Sequence, residues 1–107
     1  MASHPDYVAY VVEQLRGAGS IRARKMFGEY GLYCDGTFFA VICDDQLFIK
    51  ITPPGEAAFP ALPKAPAYEG AKDSFVVEDV DDPATAVELT RITCDALRKA
   101  ASQKRRK

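Results

Sequence analysis

The chain has 107 residues, 48% hydrophobic and 27% charged, with a formal net charge of −1; that size and mixture fit one globular domain with a modest core and exclude a membrane-spanning protein, since no apolar run is long enough to cross a bilayer. Four of its fourteen Lys and Arg residues are the last four, so residues 1–103 carry ten cations against fifteen carboxylates, a net of −5. An acidic body of this kind does not grip nucleic acid along a whole face, because phosphate contacts need clustered positive charge.

The N-terminus, Met-Ala-Ser-His-Pro, is polar and lacks the apolar region of a signal peptide, which predicts a cytoplasmic location. Ser3 with Asp6 reads as a helix N-terminus, the hydroxyl capping an orphan amide and the carboxylate favouring the positive helix end. Val8, Val11, Val12 and Leu15 then recur at helical spacing, with Gly17 or Gly19 to end the helix. From Ile21 the period becomes two: Ile21, Ala23, Lys25 and Phe27 alternate with Arg22, Arg24 and Met26, as in a half-exposed strand. Gly28-Glu29 turns the chain into a second strand, Tyr30 to Cys34. Asp35-Gly36 supplies the positive φ angles of a tight hairpin turn, and Phe38 to Cys43, apolar throughout, reads as a central strand covered on both faces. Asp44-Asp45-Gln46 turns it again into a fourth strand, Leu47 to Ile51.

Pro53, Pro54, Pro60, Pro63 and Pro66 mark the next segment as a loop with one helical turn near Glu56–Phe59. Ser74 to Val77 is a fifth strand. Asp82 before Pro83 is an N-cap followed by the proline favoured at the first helical position. Val87, Thr90, Cys94 and Leu97, with Leu89, Ile92 and Ala96, give the last helix an apolar face up to about Ala101. The expected fold is α+β, an antiparallel meander sheet of four to five strands flanked by N- and C-terminal helices. Residues 1–101 form the domain and 102–107 a basic tail. In an ideal Asp35-Gly36 hairpin Tyr33 pairs with Phe38 on one sheet face, while Leu32 with Phe39 and Tyr30 with Val41 share the other. Both faces are apolar, and two helices cover one of them. The other is left to the proline-rich loop, to a second copy of the chain in a homodimer, or to a partner.

Catalytic chemistry finds little to work with. Cys34, Cys43 and Cys94 form no CxxC pair, and Cys34 and Cys43 would stand roughly 20 Å apart across the hairpin, too far for a disulfide. The only histidine, His4, sits at the helix start, so no base activates a thiol and no zinc ligand set exists. Asp44-Asp45 reads as a turn, and Glu78-Asp79 with Asp81-Asp82 as a solvated connection. No glycine run has the spacing that cradles phosphate. No catalytic, cofactor or metal residues are expected. What remains are binding candidates. Arg22, Arg24 and Lys25 either contact phosphate or an acidic protein patch, or guard an edge strand with charge. Lys50, on the same face as Phe48, is either solvated or part of a binding surface. Tyr30, Tyr33 and Tyr68 either pack in the core or stack on a ligand.

The run Arg24-Lys25-Met26-Phe27-Gly28-x-Tyr30-Gly31-Leu32-Tyr33 resembles the N-terminal domain of the TfoX/Sxy family. So do Asp35-Gly36, Phe39-Ala40, Leu47-Phe48-x-Lys50, Tyr68-x-Gly70-Ala71 and Ser74-Phe75-Val76-Val77, in that order across roughly residues 6–100. The resemblance implies a small α+β domain. Members with a second, helical C-terminal domain regulate competence-gene transcription beside a cyclic-AMP-responsive activator, and this chain resembles a stand-alone version of the N-terminal part. The resulting expectation is a non-enzymatic regulatory or adaptor domain that binds a protein partner, transcription machinery being the family's setting. Its interaction surface comprises Arg22, Arg24, Lys25, Phe27, Tyr30, Tyr33 and Lys50. One alternative is weak direct nucleic-acid binding through the basic strand and the tail Lys104, Arg105, Arg106 and Lys107. The other is a small-molecule-binding domain using the sheet and the proline-rich loop.

Overall fold

The computed structural model describes residues 4–26, 29–78 and 82–105, with side chains for 4–25, 29–78 and 82–102. Helix α1 (Pro5–Leu15) ends in a short 3-10 turn over Arg16–Ala18. Then come β1 (Ile21–Met26), β2 (Glu29–Cys34), β3 (Thr37–Cys43), β4 (Gln46–Lys50), α2 (Pro53–Ala58), β5 (Lys64–Pro66), β6 (Asp73–Val77) and α3 (Pro83–Arg105). The six strands form one antiparallel sheet in the order β1-β2-β3-β4-β6-β5. The α+β meander expected from sequence is therefore present, with one strand more. The extra strand is β5, hidden in the proline-rich segment: a short edge strand tolerates proline because one side needs no ladder bonds, and the carbonyl of Pro63 accepts from the Val76 N–H at 2.8 Å.

Both hairpin turns between β2, β3 and β4 hold two residues at positive φ. Asp35 and Gly36 stand at 49° and 85°, Asp44 and Asp45 at 53° and 58°. The right-handed strand twist favours such turns, and Asp tolerates the left-handed region better than most side chains. Tyr33 pairs with Phe38 as expected, but the register slips by one beyond it. Leu32 pairs with Ala40, Gly31 with Val41, and Tyr30 with Ile42, so the ideal Leu32–Phe39 and Tyr30–Val41 pairs are overturned. The cause is a β-bulge, in which Phe39 is the extra residue. It allows Phe39 and Ala40, adjacent in sequence, both to be fully buried, and it moves Val41 to the opposite face while Ile42 enters the core.

All three helices lie on one face of the sheet. Val8, Val11 and Leu15 of α1 meet Ala86, Leu89 and Cys94 of α3 over Leu32, Phe39, Ile42, Leu47, Ile49 and Phe75. Phe39 and Phe75 are wholly buried, and truncation of either to Ala should cost about 3–5 kcal/mol. The buried stripe on α3 runs through Ala86, Leu89, Thr90, Thr93 and Cys94, with Leu97 packed against it. Leu89, Thr90, Cys94 and Leu97 of the expected face are there, Val87 is only partly buried, and Ala86 and Thr93 join them. Arg98 fastens α3 to the β2–β3 hairpin: Nη2 donates to the Cys34 carbonyl at 2.9 Å and Nε to Thr37 Oγ1 at 3.2 Å.

The termini of the helices differ from expectation in three places. Ser3, read as the first cap, lies outside the described residues, and the N-cap of α1 is His4. Its imidazole makes no capping bond because Nδ1 is turned to Asp45 Oδ2 at 2.5 Å, tying α1 to the β3–β4 turn. The helical turn expected at Glu56–Phe59 begins earlier, at Pro53, because the buried Thr52 hydroxyl caps Gly55 N. Finally, α3 continues past Ala101 to Arg105.

Candidate interaction face

Strand alternation sorts the candidate residues without reference to any function. Directly opposed residues share a face, so Arg22, Tyr33 and Phe38 stand together, as do Arg24, Gly31, Val41, Phe48 and Val76 in the neighbouring row. Lys50 and Ser74 are opposed on the same side. This is the face away from the helices. Four predicted residues, Arg22, Arg24, Tyr33 and Lys50, are thereby brought together. Lys25 and Tyr30 are opposed to each other on the helix side, where Tyr30 packs against the core. Phe27 lies outside the described residues.

The helix-free face is aromatic at its centre. The rings of Tyr33 and Phe38 are 5.2 Å apart, tilted by 39°, and Lys50 Nζ sits 4.4 Å from the Phe38 ring centre. Such a cation over an aromatic face is attracted by the ring quadrupole, by about 0.5–2 kcal/mol depending on desolvation. Partial burial lowers the Lys50 pKa from its usual value, because the low-dielectric surroundings disfavour the ammonium. Between the strands and the Ala67–Lys72 connection runs a groove of about 360 Å³, lined by Phe38, Val41, Phe48, Lys50, Tyr68 and Ser74. Phe48 is sealed at its floor, 4% exposed, whereas Tyr68 stands at its rim, 64% exposed. The core-packing alternative for Tyr68 is thus overturned. Alternation about the Tyr33–Phe38 pair was enough to find Phe38 and Phe48. Tyr68 had no periodic signal, since the proline-rich segment has no period.

On β1, Arg22, Arg24 and Lys25 are exposed, and no ion pair of the described residues includes them. Lys104 and Arg105 lie in the last turn of α3, which packs on the opposite face of the sheet, and Arg106 and Lys107 lie outside the described residues.

The cysteines are free and buried. Burial, first, and then the neighbouring Cys34 thiol push Cys94 up to about 12, while burial and the carboxylates of Glu29 and Asp44 raise Cys43. Thiols held protonated in this way are poor nucleophiles. Sequence spacing could not show that Cys34 and Cys94 are neighbours, because they meet only when α3 crosses β2. Among the described residues no cluster of His, Cys, Asp and Glu has the makings of a metal site, and no helix is long and apolar enough to cross a membrane.

Comparison with known proteins agrees with the motif order. The model of the TfoX N-terminal domain matches residues 13–101. The chain belongs to the TfoX N-terminal domain family. It is also 37% identical over 98 residues to an uncharacterized 12.7 kDa protein in the trpE 5' region of Spirochaeta aurantia, an alignment covering 91% of this chain and 85% of that protein. The TfoX N-terminal match contains the whole helix-free face, from Arg22 to Val76, and stops before Lys104 to Lys107. The basic tail is therefore outside the part of the chain that the family defines.

Proposed function

We propose that this TfoX N-terminal domain is a non-enzymatic, cytoplasmic regulatory module that binds a protein partner through the helix-free face of its sheet. Competence-gene regulation is the setting its family suggests. The supporting observation is the combination on that face of a half-buried aromatic groove with Arg22 and Arg24 beside it, neither in an ion pair among the described residues. Apolar and aromatic area gives such a contact its energy, while unpaired guanidinium groups select carboxylate-bearing partners.

A photo-crosslinking residue in place of Tyr68, at the groove rim, tests this in cells. A matching probe in place of Tyr10, 40% exposed on α1, is the control. The expected result is a discrete protein adduct from position 68, absent from position 10 and lost on Arg24→Glu while the thermal midpoint holds. A nuclease-sensitive adduct, or duplex binding in fluorescence anisotropy that persists at physiological salt and needs Arg24, would replace the protein reading with the nucleic-acid one. Binding that disappears when the chain is ended at Ala101 would assign it to the tail alone.

A further inference from the structure

The two edges of the sheet are unlike. On one side β5 has three residues and ends at Pro66, which offers no N–H. On the other, β1 has six residues, pairs among the described residues with β2 alone and contains no proline. The hydrogen-bond phase of β1 follows from its first neighbour: Asp35 N donates to Ser20 O at 2.9 Å, a bonded pair one step before Ile21–Cys34. Bonded and non-bonded pairs alternate in an antiparallel ladder. Arg22 and Arg24 therefore bond to β2, and the N–H and C=O groups of Ile21, Ala23 and Lys25 point away from the sheet. No turn or loop bond of the described residues takes them up.

We infer that β1 is a strand-addition site for an extended acidic segment of a partner protein. The inference rests on the protein-partner reading and specifies the chemistry of the segment. Strand addition satisfies a row of backbone groups that water now holds, and the side chains along the edge choose the occupant. Those side chains are cationic at Arg22, Arg24 and Lys25. A second copy of this chain is disfavoured, since antiparallel pairing of β1 with itself sets these cations against one another, and like charges directly opposed are destabilising. A carboxylate-bearing strand meets the opposite situation. Arg22 and Arg24 project to the helix-free face and Lys25 to the other. An antiparallel newcomer thus reads, from its N-terminus, acidic opposite Lys25, acidic opposite Arg24, small or apolar opposite Ala23, and acidic opposite Arg22. The pattern is Glu-Glu-Val-Glu. Two of its three carboxylates fall on the face that carries the groove, so the edge and the groove form one continuous surface.

The test is an amide-resolved NMR titration of the full chain with a capped peptide, Thr-Val-Glu-Glu-Val-Glu-Val-Thr. Expected are saturable shifts below about 1 mM peptide, centred on the amides of Ile21, Ala23 and Lys25, which also become protected from hydrogen exchange. A peptide of the same charge with alternate backbone N–H groups methylated should bind at least about tenfold more weakly. Arg24→Glu should weaken binding as much, and a peptide with Lys at the facing position should restore it. Equal binding by the methylated peptide, shifts that spare the β1 amides, or no binding would each overturn strand addition. A protein adduct from position 68 alongside any of these would leave the protein-partner reading standing, whereas absence of that adduct with specific β1 shifts would count against the groove and not the edge.

Discussion

Replacing Gly19 by Ala should destabilise the domain by about 2–4 kcal/mol, although it adds a single methyl group. Gly19 closes the 3-10 turn at φ 152°, ψ −162°, a region that residues with a Cβ scarcely populate; holding one there costs about 1–3 kcal/mol. The new Cβ would stand 2.7 Å from Asp35 Oδ2 and 2.9 Å from Cys34 Sγ. Asp35 is exposed and can rotate aside, but its other carboxylate oxygen accepts from Ser20 N at 3.1 Å, and losing that bond costs about 1 kcal/mol more. Cys34 has no such freedom, being 1% exposed with its thiol directed at the Ala18 carbonyl.

Gly17, two residues earlier, is the internal control. A Cβ there would touch only the Val87 methyls, at 3.4 Å, so Gly17→Ala should be neutral or stabilise by up to about 1 kcal/mol through the unfolded state. Urea unfolding followed by far-UV circular dichroism measures both, the chain having no tryptophan for fluorescence. The Gly19→Ala cost should shrink on an Asp35→Ala background, because part of it is steric. A Gly19→Ala midpoint within about 0.5 kcal/mol of wild type, or an equal loss at Gly17, would refute the reasoning.

Three further outcomes are expected. Thr93 is wholly buried and its hydroxyl has no partner among the described residues, so Thr93→Val should stabilise by about 1 kcal/mol and raise Tm by roughly 4–8 °C. Thr90→Val, which removes a bond to the Ala86 carbonyl at 2.8 Å, should gain less; calorimetry on the pair decides, and a lower Tm for Thr93→Val would contradict it. The hydrogen bond and then the charge of Asp45 raise the pKa of His4 above its usual 6.5, and the bonds from His4 lower that of Asp45 below 3.8. The His4 contribution is full below about 6.5 and lost as pH rises through the raised value, whereas that of Asp45 is full above about 3.8 and lost as pH falls through the lowered one. The deficit of Asp45→Asn should therefore be greatest between about pH 4 and 6.5, and an NMR titration placing His4 at or below 6.5 would count against the pair. Lys50→Met should change Tm little, because relief of a partly desolvated ammonium offsets the lost contact with the Phe38 ring, while reducing the position-68 adduct; an undiminished adduct would remove Lys50 from the surface.

Much of the fold could be read from local signals. The Asp35-Gly36 turn, the change of period at Ile21 and the Asp82-Pro83 helix start each have a local cause, and each stands where expected. The bulge at Phe39 does not, because Phe39 and Ala40 can alternate normally or both turn inward, and only the packing of α3 above them decides. Strand β5 was hidden for a related reason: three residues, the last of them Pro66, carry no period, and their pairing with β6 is a long-range fact. Of the candidate surface, Arg22, Arg24, Tyr33 and Lys50 were legible as one group through the parity of β1, β2 and β4. Lys25 and Tyr30 share the motif in sequence but fall on the other side, since adjacent positions on a strand face opposite ways.

The groove alone does not distinguish a small molecule from a polypeptide, since about 360 Å³ is within the range of ligand pockets. Its neighbour does. A small-molecule site draws its specificity from polar groups converging on an enclosed volume, whereas here Lys50, Lys72 and Asp73 line a groove and Arg22 and Arg24 are strung along a free strand outside it. Arg22 and Arg24 lie two residues apart, about 7 Å along β1, in step with alternate residues of an added strand. The same cations that keep β1 from pairing with its own copy would then select what does pair with it. Edge protection and partner choice are, on this view, one device, and the charge-swap titration at Arg24 separates it from simple edge protection, which predicts no recovery with the Lys-bearing peptide.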